Sequence, residues 1–143
     1  MNKYNLEIAK FSFNTNYQTN SIKYTQAHLD KVMQDYPDLT SYGLGRFEYR
    51  DFDREREELK NDLGGFKVAC IYTTYSNKLS RIDKTISSND YTFRVQDLGY
   101  PDLFNGTFIA AAIHMGFKLR RYPESPNAYF NMSDHLYREL MKK

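Results

Sequence analysis

Residues 104–115, FNGTFIAAAIHM, constrain this chain most. Phe104, Phe108, Ile109, Ala112 and Ile113 cover one broad helical face, and Ala110 and Ala111 carry it further round the axis. A helix that is apolar on nearly all sides has to be surrounded by other elements, so the rest of the chain must supply the shell. With 143 residues it is long enough for one domain: a chain of this size buries about 68–70% of its unfolded surface. One globular unit over residues 1–143 is expected, since no linker, repeat or low-complexity segment divides it.

The shell is read from periodicity. Tyr4, Leu6 and Ile8 alternate and Phe11 and Phe13 continue on the other parity, which predicts a strand with a bulge. Leu29, Val32, Met33 and Tyr36 have helical spacing after the candidate caps Ser21 and Thr25, and Pro37 ends that helix. Asp51 or Asp53 caps a charged helix that runs to Leu63, and Gly64 and Gly65 read as its stop. Arg46–Arg50 allows a short strand.

In Phe66–Tyr75, Val68, Cys70 and Tyr72 fill one face and Ala69, Ile71 and Thr73 the other, the pattern of a central strand. Tyr91, Phe93 and Val95 alternate and predict a further strand. Residues 76–90 fit either a helix or a strand that turns at Asn89–Asp90. Phe117–Arg121 and Ala128–Met132 flank the turn Pro123–Pro126 as a hairpin. Ser133 then caps a last helix. The fold class expected from this order is α+β, an antiparallel-rich sheet of five or six strands with three or four packed helices.

Charge and cysteine content narrow the chemistry. The 20 basic and 18 acidic residues give a net charge of +2 and a pI near 8.5, below the value above ~9 that marks a dedicated nucleic-acid binder. The charge is uneven: residues 51–62 carry −3 and residues 118–143 carry +3. A single cysteine, Cys70, excludes a disulfide framework or a multi-cysteine metal site and points to a reducing compartment, the cytoplasm. No apolar run approaches the ~20 residues of a membrane span, and MNKYNLEIAK lacks the apolar core of a secretory signal. Phe, Tyr, Met, Ile, Asn and Lys total 57 residues against 27 for Gly, Ala, Arg and Pro. AT-rich codons encode the first group, so a low-GC genome is expected.

Few residues carry a catalytic signature. His28, His114 and His135 are scattered, with no metal-ligand spacing. His114, near the end of the buried helix, is the weak catalytic candidate, and an imidazolium there would suit the helix C-terminus. The run Asp51, Asp53, Glu55, Glu57, Glu58 is interleaved with Arg54 and Arg56, so it reads as a solvated helix face rather than a cation site. Gly43 and Gly45 follow a helix instead of preceding one, the wrong order for a phosphate cradle. Gly106 reads as a close-packing position. Cys70 is expected to be an inert buried thiol. Neither a metal nor a cofactor is called for.

The strongest interaction signal is the hairpin. Lys118 and Arg120 share one strand face by period two, Tyr122 continues it, Arg121 turns inward, and Tyr129 lies on the partner strand. Basic and tyrosyl side chains together suit protein interfaces and nucleic-acid phosphates with stacked bases. The residues Lys118, Arg120, Arg121, Tyr122 and Tyr129 are therefore the candidate binding surface. The reading favoured is a small soluble binding or regulatory protein acting on a protein or nucleic-acid partner, such as an accessory or inhibitor protein of a phage or mobile element. The alternative is a small metal-independent phosphodiesterase or nuclease using His114 with Arg120 or Arg121 around a phosphate. No membrane partner is expected, and oligomeric state is left open.

Overall fold

The computed structural model describes residues 19–133 and 135–141. The elements run α1 (Gln26–Asp35), α2 (Phe52–Lys60), α3 (Leu63–Thr74), α4 (Ser88–Asp97), α5 (Asn105–His114), β1 (Leu119–Arg121), β2 (Ala128–Phe130) and α6 (His135–Met141). The expected strand over Tyr4–Phe13 lies outside the described residues.

This order corrects the expected fold class. The described residues are mostly helical, and their sheet is one antiparallel pair, β1 with β2, instead of five or six strands. Phe66–Tyr75 is not a central strand: it belongs to α3, which begins where Gly64 and Gly65 suggest a stop. Asp62 is the cap, and its carboxylate accepts from the Gly65 N–H. Tyr91–Val95 is likewise helical. Ser87 and Asp90 form a reciprocal capping box that starts α4, so Asn89–Asp90 is a first helical turn and not a hairpin tip. Arg46–Arg50 is a loop that turns at Phe47–Arg50, where the Arg50 N–H donates to the Phe47 carbonyl.

The core forms where α3 packs along α5. Phe66, Val68, Ala69, Cys70 and Tyr72 are buried against Phe108, Ile109, Ala110, Ala111 and Ala112. Phe108 is its hub. Its ring stacks on Tyr91 at 5.4 Å and meets Tyr72 and Phe130 edge-on at 6.2 and 6.3 Å. One side chain thus joins α3, α4, α5 and β2, and the Tyr91 hydroxyl donates to the Met132 carbonyl. Burial of aromatics on this scale dominates the stability of a domain this small.

Around the core, polar side chains close the ends of helices. The Arg56 guanidinium donates to the carbonyls of Met33, Tyr36 and Leu39, at and just beyond the end of α1 where helical partners run out. The acidic run is accordingly not just a solvated face. Asp51 caps α2, and Glu55 is buried in an ion pair with Arg50.

Three segments far apart in sequence lock together beside the start of α5. A Cβ on Gly106 would collide with the Thr40 carbonyl, and one on Gly43, at φ 140°, with the Pro126 carbonyl. Only glycine permits these approaches. The Gly106 N–H donates to the Ser41 carbonyl and the Leu44 N–H to the Pro126 carbonyl. Asn105 Nδ2 donates to both the Tyr42 carbonyl and Asn127 Oδ1. Gly106 is therefore the close-packing position its sequence context indicates, and the helix also begins there.

Candidate functional site

The hairpin presents two unlike faces. Cross-strand pairs share a face, and the register is Leu119 with Phe130, Arg120 with Tyr129, and Arg121 with Ala128. Phe130 and Ala128 are buried, so Leu119 and Arg121 lie on the inner side. Arg120 and Tyr129 lie outward, with Lys118 and Tyr122 in phase. Tyr122 and Tyr129 meet edge-to-face at 5.7 Å. Lys118 and Arg120 are exposed and make no ion pair among the described residues.

Arg121 differs from the others. Its guanidinium forms a two-pronged ion pair with Asp38, in the loop after α1. That contact holds the Asp38 carboxyl below the ordinary carboxylate range, chiefly through the hydrogen bonds from Arg121. Arg121 thus ties the hairpin to the body of the protein, while Lys118, Arg120, Tyr122 and Tyr129 remain as one basic and aromatic outer surface. The other edge of β2 is covered by Ser87, which bridges to Tyr129.

His114 sits in an aromatic nest. Its ring stacks on His28 at 4.4 Å and faces Phe66 at 5.6 Å and Tyr24 at 6.1 Å. Burial, then the neighbouring His28, pushes its pKa down, so the neutral ring is favoured despite its place at a helix C-terminus. His28 Nδ1 accepts the Thr25 N–H at the start of α1. No described contact brings His114 to Arg120 or Arg121. Cys70 is fully buried and its thiol is pushed far up by desolvation, so it is no nucleophile. Among the described residues, no three of His, Cys, Asp and Glu converge as metal ligands, and no helix is long and apolar enough to cross a membrane.

A second feature has no counterpart among the residues singled out by sequence. An open cleft of about 600 Å³ is bounded by α2, α4, the start of α5 and the hairpin turn. It is lined by Ser41, Tyr42, Arg50, Arg54, Glu55 and Glu58, by Asn89, Thr92 and Gln96 of α4, and by Leu103–Asn105 with Pro126 and Asn127. Its charges cancel internally: Arg50 pairs with Glu55, Arg54 lies 3.7 Å from Glu58, and Ser41 Oγ donates to Glu58 at 2.5 Å. Arg50 also covers the Tyr42 ring at 3.9 Å. The sequence signal that could have revealed the α4 wall is its capping box, which the alternation of Tyr91–Val95 obscures. No protein-family model, curated protein or solved structure significantly matches the chain.

Proposed function

We propose that this is a binding protein that docks an acidic partner protein on the outer face of its hairpin. The observation that carries the reading is the separation of roles on β1: Arg121 is engaged with Asp38, while Lys118 and Arg120 stand exposed beside the Tyr122–Tyr129 pair. Arginine and tyrosine are the residues that most often dominate interface energetics. Charge number favours protein over nucleic acid. Two cations on this face would release about two counterions, a log–log salt slope near −1.8, whereas firm duplex binding uses about 6–10 phosphate contacts. A single buried cysteine suits a cytoplasmic setting, and the low-GC composition suits an accessory or inhibitor protein of a phage or mobile element. The phosphodiesterase alternative needs His114 beside a hairpin arginine, and nothing described supports that.

The test is a Lys118→Ala/Arg120→Ala double variant, checked first for an unchanged Tm, against the partner recovered from the native host. Loss of a hot-spot arginine predicts at least ~30-fold weaker binding. Unaltered affinity would mean that the two cations merely guard a strand edge. A partner that proves to be nucleic acid, with the salt slope reduced by ~1.8 in the variant, would replace the protein reading.

A further inference from the structure

We propose that the cleft beside the start of α5 is a binding site for a neutral, hydroxyl-rich ligand of the saccharide class, separate from the hairpin face. The cations and anions that line it are paired with each other, so the site offers no net charge to a phosphate, a metal ion or an acidic peptide.

Hydrogen-bonding capacity is left over on its walls. Asn89 makes no side-chain hydrogen bond among the described residues. Gln96 donates through Nε2 to the Leu103 carbonyl, which leaves Oε1 as an acceptor. Asn127 accepts through Oδ1 from Asn105, which leaves Nδ2 as a donor. Mixed donors and acceptors on these carboxamides match hydroxyl groups, each of which donates one hydrogen bond and accepts others. Close backbone contacts at Gly43 and Gly106 fix the lining segments around Asn105 and Pro126, which limits the ordering needed on binding.

Two exposed aromatic side chains neighbour lining residues of the cleft. Tyr49 is 71% exposed, and its hydroxyl lies 3.2 Å from that of Tyr42 on the cleft wall. Phe93 is 58% exposed and stands one helical turn after Asn89. Exposed aromatic rings next to lining residues offer apolar faces to the C–H faces of a sugar ring. Apolar lining is confined to Leu103, Phe104 and Pro126 with the Tyr42 ring. That is too little for the side-chain pockets by which a peptide is usually read.

The experiment is a ¹⁵N–¹H correlation titration of the whole protein with cellobiose, maltose and N,N′-diacetylchitobiose, following the side-chain amides of Asn89, Gln96 and Asn127. At least one disaccharide should shift these signals at millimolar concentration. The exposed substitutions Asn89→Ala and Phe93→Ala should each weaken that binding about five-fold, the loss of one hydrogen bond or stacking contact, without moving the Tm. No shift with any of the three sugars overturns the proposal, as do shifts that Asn89→Ala leaves intact. A capped neutral tripeptide that shifts the cleft when no sugar does would also overturn it and assign the site to peptides. Lys118→Ala/Arg120→Ala should leave the sugar titration unchanged, so failure of the hairpin reading and failure of this one are distinguishable.

Discussion

Replacing Asp62 by asparagine should make the protein more stable at neutral pH relative to acid. Burial pushes the Asp62 carboxyl up to about 6 from 3.8, with Glu58 and Asp102 adding to the effect, while the Thr107 hydroxyl at 2.7 Å and the Gly65 N–H at 3.2 Å oppose it. The folded state therefore holds a proton that the unfolded state has released between about pH 4 and pH 6. Its stability falls as pH rises through that window. The shift of roughly two units corresponds to at most about 3 kcal/mol. The substituted carboxamide keeps an acceptor for the α3 cap but does not titrate. His114 acts in the opposite sense: its lowered pKa makes stability fall as pH drops below about 6.5. The measurement is therefore a difference. Urea unfolding of the wild type and of Asp62→Asn at steps from pH 4 to pH 7.5 should show wild type losing up to ~3 kcal/mol relative to the variant across the window. A flat difference would refute the reasoning. It would mean that the first turns of α3 and α5, which supply the Gly65 N–H and the Thr107 hydroxyl, keep this carboxylate ionised despite its burial.

Gly106→Ala sets two effects against each other. Alanine gains ~1 kcal/mol of helix propensity, but its Cβ would fall well inside the 3.0 Å that real Cβ atoms keep from the Thr40 carbonyl, so calorimetry should show a net drop in Tm. Phe108→Ala removes the ring shared by Tyr72, Tyr91 and Phe130, and denaturant unfolding should show a loss of about 3–5 kcal/mol. His114→Phe keeps a ring against His28 and Phe66; the variant should lose less stability than wild type on acidification from pH 7 to pH 5.

Legibility in the sequence depends on contrast. The helices at Gln26–Asp35 and Phe52–Lys60 set apolar against charged positions at helical spacing, and Phe104–Met115 is too long and too apolar for a strand. The hairpin is marked by Pro123 and Pro126 and by bases in phase with each other. Phe66–Tyr75 has no such contrast. Apolar residues on every side fit a buried helix as well as a central strand, and Ile71, Tyr72 and Thr73 tilt local propensity toward strand. Packing against α5 decides otherwise. At Tyr91–Val95 the alternation is accidental, since Phe93 is exposed while Tyr91 and Val95 are buried. The Ser87-x-x-Asp90 capping box is a helix-start signal present in the sequence, and it outweighs the turn propensity of Asn89–Asp90. The outer hairpin face can be placed from period two alone. The cleft cannot, because its walls come from segments brought together only by the tertiary fold.

The lock between Thr40–Leu44, Asn105–Gly106 and Pro126–Asn127 also sets a timetable. Asn105 reaches Tyr42 across 63 positions, and Arg121 reaches Asp38 across 83. Such contacts close late in folding, because long loops must first be brought together. During synthesis, α1 to α5 leave the ribosome before the hairpin that completes both the cleft wall and the cover over Phe108. A nascent chain that stalls near Gly116 would hold its most apolar helix without Phe130 against it, a species inclined to aggregate or to recruit a chaperone. Emergence of β2 is then the step that brings Phe130 against the Phe108 ring.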